Sequence, residues 1–268
     1  MQDLKANISP SKIKESNKLI KKVAIFDSGI GGLSVVKSLL DANMFEHIIY
    51  YGDTARVPYG SKDKTTIISF SLEALSFLEG FEPDLIIVAC NTVSACAIPF
   101  MQENTKIPVI GVIQSGMKAI VSKHLPKTSN ILVIGTQTTI NSKVYQEGLQ
   151  SLGFKNVQAL ETGLFVPLVE AGIYEGELIK AAFNHYFKDI KDIDALVLGC
   201  THFPMLATSL REYFGKDCVF IHSGETMATY LNEHYNIAFC KRENIKLNYH
   251  ASSNVAKLQE SASKWLAL

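Results

Sequence analysis

The sequence lacks an excess of charge of either sign and lacks any long apolar run. Lys and Arg number 26, as do Asp and Glu, so no net field attracts nucleic acid or anionic lipid. No apolar run approaches the roughly 20 residues that cross a bilayer, and the first 22 residues lack the apolar core of a signal peptide. We therefore expect a cytoplasmic protein without a nucleic-acid or membrane partner, preceded by a disordered or loosely attached arm at residues 1–21.

Cysteine is scarce, and no CxxC pair occurs. The five cysteines are odd in number and widely spaced, so the sequence favours neither a disulfide framework nor a zinc site. Reduced thiols in a reducing compartment are the simpler interpretation. Because cysteine is commonly buried as a small apolar residue, we give that interpretation to Cys96, Cys218 and Cys240. Cys90 and Cys200 differ, since each ends an apolar run and precedes polar residues.

Short apolar runs alternate with amphipathic stretches along the 268-residue chain, which is long enough for one large α/β domain or two small ones. The apolar runs are nearly continuous in Val, Ile and Leu, as is typical of strands buried on both faces. The alternation predicts parallel sheets covered by helices. The predicted strands are 22–26, 47–52, 84–90, 108–113, 130–135, 195–200 and 218–222, and the predicted helices are 32–42, 65–80 and 176–190.

The pattern repeats along the chain. Cys90 and Cys200 are 110 residues apart, and the motifs "VIQSG" and "FIHSG" are 108 residues apart. The strand that precedes Asp27 and the strand that precedes Gly135 are again separated by 108 residues. Three matches in one order favour two similar α/β halves over chance. The predicted domains are 22–115 together with 225–268, and 116–224.

In open parallel sheets, ligands bind at the carboxyl ends of the strands. Two halves that face each other would bring Asp27, Cys90, Gly135 and Cys200 around one cleft. Two thiols on opposite walls can remove a proton from one face of a carbon and return one to the other, which is the geometry of a racemase or epimerase. A single-nucleophile enzyme built on Cys200 and His202 is an alternative, but it leaves Cys90 unexplained. A metal site would need more ligands at short spacing.

The segment "FDSGIGGLS" (26–34) places a glycine-rich turn between a predicted strand and a predicted helix. Such turns often bind phosphate, but these glycines do not form GxGxxG, and Asp27 would repel an anion. A carboxylate there suits an ammonium group or a catalytic thiol. The segment therefore favours an amino-acid ligand over a nucleotide cofactor, with a simple tight turn as the alternative.

Four segments resemble, in order and spacing, the motifs of the bacterial glutamate racemase family: "AIFDSGIGGLSV", "YYGDTARVPYGSK", "IIVACNTVSA" and "LVLGCTHFP". The resemblance implies two α/β domains and the interconversion of L- and D-glutamate in the cleft between them, without a cofactor or metal. It also implies a supply of D-glutamate for peptidoglycan and a homodimer. An aspartate racemase of the same fold is the nearest alternative. A binding protein for an acidic amino acid is another, although binding alone needs neither thiol.

The resemblance also assigns roles to individual residues. It makes Cys90 the base for D-glutamate and Cys200 the base for L-glutamate, with Asp27 assisting Cys90 and His202 assisting Cys200. The substrate-binding positions that it implies are Asp27, Ser28, Tyr59, Gly60, Asn91, Thr92, Thr201 and His202.

These roles agree with the chemistry of the side chains. Asp27 and Ser28 can accept hydrogen bonds from the ammonium group, and neutral donors can bind the α-carboxylate if enough of them converge. The backbone at Gly60 can approach the side-chain carboxylate, because glycine has no Cβ. Asp53 and Glu170 match further acidic positions of the family, with a turn-capping role as the alternative for Asp53.

Overall fold

The computed structural model describes residues 18–266. Most of the predicted N-terminal arm therefore lies outside the described residues. Within its described part, Ile20 is buried, donates its backbone N–H to the Asn236 carbonyl and accepts a hydrogen bond from Ala238. The chain is thus attached to the fold before the first strand begins. No helix within residues 18–266 is both long and apolar enough to cross a membrane.

The strands of the described chain form two sheets, and all of their pairings are parallel. The first sheet contains β1 (Lys22–Asp27), β2 (His47–Gly52), β3 (Leu85–Val88), β4 (Val109–Gly111) and β9 (Lys246–Ala251). The second contains β5 (Asn130–Gly135), β6 (Asn156–Glu161), β7 (Ala195–Gly199) and β8 (Val219–His222). The strand order is β4-β3-β1-β2-β9 in the first sheet and β6-β5-β7-β8 in the second.

Helices follow most of the strands. Three of the described helices begin at a side-chain cap: the Asp63 carboxylate accepts the Thr66 N–H, the Thr136 hydroxyl accepts the Thr139 N–H, and the Asn254 amide oxygen accepts the Lys257 N–H. Two short 3₁₀ helices cover Phe203–Leu206 and Arg242–Asn244. The α-helices are α1 (Leu33–Asp41), α2 (Lys64–Glu79), α3 (Asn91–Cys96), α4 (Ile98–Glu103), α5 (Val112–Ser122), α6 (Gln137–Asn141), α7 (Val144–Ser151), α8 (Phe165–Glu170), α9 (Glu177–Phe187), α10 (Ala207–Phe214), α11 (Met227–His234) and α12 (Val255–Leu266).

The predicted fold class, two parallel-sheet α/β halves, is confirmed. The predicted strands 47–52 and 130–135 match β2 and β5. The prediction for 108–113 is wrong at its end, because the chain turns into α5 at Val112. Strands β6 and β9 were not predicted. Both lie at sheet edges with half-buried or exposed side chains, so neither has the continuous apolar run of an interior strand.

The chain crosses between the two sheets twice. It leaves the first sheet at Gly111 and enters the second at Asn130, and it leaves the second at His222 before returning to form β9. The Ser115 hydroxyl ties the crossings together by donating to the Ser223 carbonyl at 2.9 Å. The predicted domain boundaries fall in these two crossings and remain predictions.

Strand β1 separates two apolar clusters, because its side chains point alternately to the two faces of the sheet. Ala24 and Phe26 pack into one cluster, and Val23 and Ile25 pack into the other. The second cluster also contains Leu132 of β5. The two sheets therefore share one continuous apolar cluster.

Candidate active site

The two predicted thiols meet at the carboxyl ends of strands from different sheets. Cys90 follows β3, Cys200 follows β7, and both line one small cavity. The volume of this cavity is about 10 Å³, which is room for about one water molecule. The other predicted residues that line it are Ser28, Tyr59, Gly60, Asn91, Thr92, Thr201 and His202.

Cys90 lies beside an acid and a hydroxyl group. Its thiol donates to the Ser28 hydroxyl oxygen, with 3.5 Å between Sγ and Oγ. Asp27 is fully buried and accepts hydrogen bonds from the Gly29 N–H and the Thr201 hydroxyl. Burial raises the pKa of Asp27, and burial together with the Asp27 carboxylate raises the pKa of Cys90 to about 12. Cys90 therefore holds its proton near neutral pH.

Cys200 lies beside a histidine–carboxylate pair. Its Sγ is 3.6 Å from His202 Nδ1, and His202 Nε2 is 2.7 Å from Glu170 Oε1. Burial acts to lower the pKa of His202, but the hydrogen bonds with Cys200 and Glu170 raise it well above its usual value. Burial acts to raise the pKa of Glu170, but its hydrogen bond with His202 brings it below the usual value. The imidazole therefore holds its second proton more readily than a free histidine does, and it lies where it can exchange a proton with the Cys200 Sγ.

Hydroxyl groups join the two walls of the cavity. Thr92 of the first half and Thr136 of the second place their Oγ1 atoms 2.9 Å apart, and Thr139 Oγ1 lies 3.0 Å from that of Thr136. A Cβ at Gly60 would lie 2.5 Å from Thr136 Cγ2. Thr136 therefore lies where a Cβ at position 60 would be, and glycine there permits the close contact of the halves.

The glycine-rich turn after β1 packs against the opposite wall. A Cβ at Gly31 would lie 2.5 Å from Thr201 Oγ1 and 2.6 Å from His202 Nδ1. A Cβ at Gly32 would lie 2.6 Å from the Asp27 Cβ. The missing side chains thus let the first half approach the residues that follow Cys200.

The segment from Asp53 to Tyr59 is held by a buried carboxylate. Asp53 is fully buried, accepts a hydrogen bond from Arg56 Nε at 2.6 Å and another from the Tyr59 hydroxyl. Arg56 also pairs with Glu73. The Tyr59 ring packs edge-on against Phe26. Asp53 therefore orients Tyr59, which lines the cavity, and does not line it itself.

The cavity lining offers hydroxyl, amide and thiol groups. The hydroxyls belong to Ser28, Thr92, Thr136 and Thr201, and the amide belongs to Asn91. Converging neutral donors can bind a carboxylate. Within the described part of the chain, no group of three or more His, Cys, Asp or Glu side chains is arranged to hold a metal ion. The site can bind a small carboxylate ligand and transfer a proton.

Sequence reasoning missed three lining residues, Pro58, Thr136 and Val166. The repeat could have revealed Thr136, because it occupies the position after β5 that Ser28 occupies after β1. Val166 lies on α8, outside the predicted elements and the repeat, and only tertiary packing brings it to the cavity. Tyr145 was also missed. It lies on α7 and donates a hydrogen bond to the side chain next to Cys90.

The chain is similar to proteins of known class. A profile described as Asp/Glu/Hydantoin racemase matches residues 31–230. The glutamate racemase of Campylobacter jejuni subsp. jejuni is 51% identical over 247 residues, which is 92% of this chain and 98% of that protein. Its crystal structure superposes with a TM-score of 0.88. The glutamate racemase of Francisella tularensis subsp. tularensis in complex with D-glutamate superposes with a TM-score of 0.79 at 32% identity, over 92% of this chain and 94% of that one.

Proposed function

The chain belongs to the Asp/Glu/Hydantoin racemase family, and we propose that it interconverts L- and D-glutamate without a cofactor. Glutamate is favoured over aspartate because relatives at 45% to 51% identity are glutamate racemases. The Francisella tularensis relative at 32% identity binds D-glutamate in its crystal structure.

The observation that carries this proposal is the placement of two thiols in different surroundings on one cavity. Cys90 and Cys200 follow equivalent strands of the two sheets. Cys90 holds its proton beside a buried carboxylate, whereas Cys200 lies beside an imidazole whose pKa is raised well above its usual value. One thiol is therefore suited to donate a proton while the other accepts one. A binding protein needs neither property.

For L-glutamate, the Cys200 thiolate removes the α-proton and becomes a thiol. Cys90 then delivers its own proton to the opposite face of the α-carbon and becomes a thiolate. One C–H bond breaks and one forms, and the electron pair remains on the α-carbon between the two steps. D-glutamate follows the same steps in reverse, starting from the Cys90 thiolate. Between turnovers, Asp27 exchanges a proton with Cys90, and His202 does so with Cys200.

The substrate is held by groups from both walls. Asp27 and Ser28 accept hydrogen bonds from the ammonium group. Asn91, Thr92 and Thr201 donate to the α-carboxylate, which holds the α-carbon between the two thiols before proton transfer begins. The backbone at Tyr59 and Gly60 lies next to the side-chain carboxylate of glutamate.

Substrate entry requires the walls to separate. The cavity of about 10 Å³ holds about one water molecule, and glutamate is far larger. The hydroxyl contact between Thr92 and Thr136 must open with the walls. Closure around the substrate then excludes water and strengthens the electrostatic interactions inside the site.

The proposal extends to the setting of the enzyme. It acts in the cytoplasm as a homodimer and supplies D-glutamate for peptidoglycan, as the family resemblance implies. Size-exclusion chromatography with light scattering tests the dimer, and a monomer at assay concentration contradicts it. Growth of a bacterial strain that requires D-glutamate, after it receives the gene for this protein, tests whether the protein supplies D-glutamate.

The proposed activity is tested by circular dichroism of purified protein with L-glutamate, D-glutamate and aspartate, with no cofactor added. Glutamate of either hand should racemise. Cys90→Ser and Cys200→Ser should each lose nearly all of this activity, because a serine hydroxyl is far less acidic than a thiol. Cys96→Ser is the matched control, since Cys96 is buried but does not line the cavity.

Each outcome decides between the candidate functions. If aspartate turned over faster than glutamate, the protein would be an aspartate racemase. Glutamate binding without turnover would make the chain a binding protein. A loss in Cys96→Ser as large as in Cys90→Ser would show that the wrong thiol was chosen on that segment.

A further inference from the structure

One polar group in the cavity has no partner among the described residues. The Asn91 side-chain nitrogen is buried and makes no hydrogen bond within residues 18–266. Asn91 lines the cavity and directly follows Cys90. A buried N–H group without a partner destabilises a fold, so such groups are usually satisfied by a ligand or water. This nitrogen is therefore available to a ligand in the cavity.

The oxygen of the same amide is occupied by a residue of the other half. The Tyr145 hydroxyl on α7 donates to Asn91 Oδ1 at 2.6 Å. Burial, with a contribution from Cys200, raises the pKa of Tyr145 above its usual value, so the phenol stays protonated and can donate. An oxygen that accepts this hydrogen bond leaves the nitrogen as the free end of the amide.

The Tyr145 ring is fixed in its place. The side chain is 1% exposed. A Cβ at Gly116 would lie 3.0 Å from the Tyr145 hydroxyl oxygen, and a Cβ at Gly199 would lie 3.5 Å from the ring. Glycine at position 116 thus gives the tyrosine hydroxyl room to reach Asn91, Gly199 lies at contact distance from the ring, and close packing limits the movement of the side chain.

We propose that Tyr145 is a positioning residue that holds the Asn91 amide with its N–H₂ group directed at the substrate's α-carboxylate. This inference rests on the proposed racemase function. Because Asn91 and Tyr145 belong to different halves, the hydrogen bond forms only when the cleft is closed. The amide is therefore oriented at the moment when the substrate is enclosed, and it is free to turn when the cleft is open.

The test is Tyr145→Phe, which keeps the ring and removes the hydroxyl. Its kcat/KM should fall about tenfold for both enantiomers, the size expected for one lost hydrogen bond to a buried group. Most of the loss should appear in KM, because the carboxylate is already bound before proton transfer. Tyr186→Phe is the matched control. The Tyr186 hydroxyl also takes part in one hydrogen bond in the second half, which it accepts from the Leu164 N–H. Its removal should leave kcat and KM unchanged.

A double-mutant cycle separates positioning from a general structural effect. In an Asn91→Ala background, Tyr145→Phe should cause little further loss, because no amide remains to be oriented. Losses that multiply would overturn the proposal, as would an unchanged KM in Tyr145→Phe. Absence of racemase activity in the wild-type protein would instead overturn the proposed function, which keeps the two failures distinct.

Discussion

Replacing Glu170 by Gln should slow racemisation through His202. The substitution preserves the shape of the side chain but removes the charge that faces Nε2 at 2.7 Å. Glu170 is only 16% exposed at its side chain, so solvent screens this interaction little. A hydrogen bond to a charged group contributes about 1.5–3 kcal/mol, and one between neutral groups about 0.5–1.5 kcal/mol. The difference of about 1–2 kcal/mol corresponds to a kcat/KM that is about 5- to 30-fold lower.

The two directions of the reaction constrain this prediction further. L- and D-glutamate have equal free energies, so kcat/KM must fall by the same factor for both. The individual values of kcat can differ, because His202 assists only one of the two thiols. Initial rates followed by circular dichroism, with each enantiomer as the substrate, give kcat and KM for both directions.

The control is Glu177→Gln, which removes an exposed ion pair with Lys180 and should leave the rates unchanged. A loss of less than about twofold in Glu170→Gln would refute the reasoning, because the charge would then contribute less than a neutral hydrogen bond does. An equal loss in Glu177→Gln would attribute the effect to the fold rather than to His202.

Two further predictions follow from the walls of the cavity. The pKa of His202 is raised and that of Glu170 is lowered in the folded protein, so the pair stabilises the fold most between about pH 4.5 and about pH 6.5. Urea unfolding measures the free energy of unfolding of the wild type and of Glu170→Gln. The difference between the two should shrink as pH rises through the raised pKa of His202. A difference that grows at alkaline pH contradicts this prediction. In deuterated water, product sampled early should carry deuterium at the α-carbon while recovered substrate carries little, because the proton delivered comes from the other thiol. Mass spectrometry that finds the original α-hydrogen in most early product would exclude the two-thiol mechanism.

Much of the site could be predicted because its residues follow buried strands. An apolar run that is followed by polar residues marks the carboxyl end of a strand in a parallel sheet, where ligands bind. Cys90 and Cys200 both lie at such strand ends. The family motifs were confirmed by the relatives of high identity. The resemblance also marks Glu170 as an acidic position of the family, and the structure brings its carboxylate within hydrogen-bond distance of His202.

The rest depended on contacts between distant parts of the chain. Strands β6 and β9 are half exposed at sheet edges, so their sequences carry no continuous apolar signal. Tyr145 lies 54 residues from Asn91, and no local pattern predicts their contact. The reason for glycine at position 60 also became clear only from the Thr136 side chain beside it.

The position of β9 sets the order in which the two sheets can be completed during synthesis. β9 pairs with β2, yet all four strands of the second sheet are translated between β4 and β9. The second sheet can therefore form as a unit while the first is still missing its edge strand, and the side of β2 that β9 will cover stays unpaired until then. A chain that ends after His222 would contain every strand of the second sheet but would lack β9 of the first. The first sheet thus begins with the earliest strands of the chain and is completed by the last one.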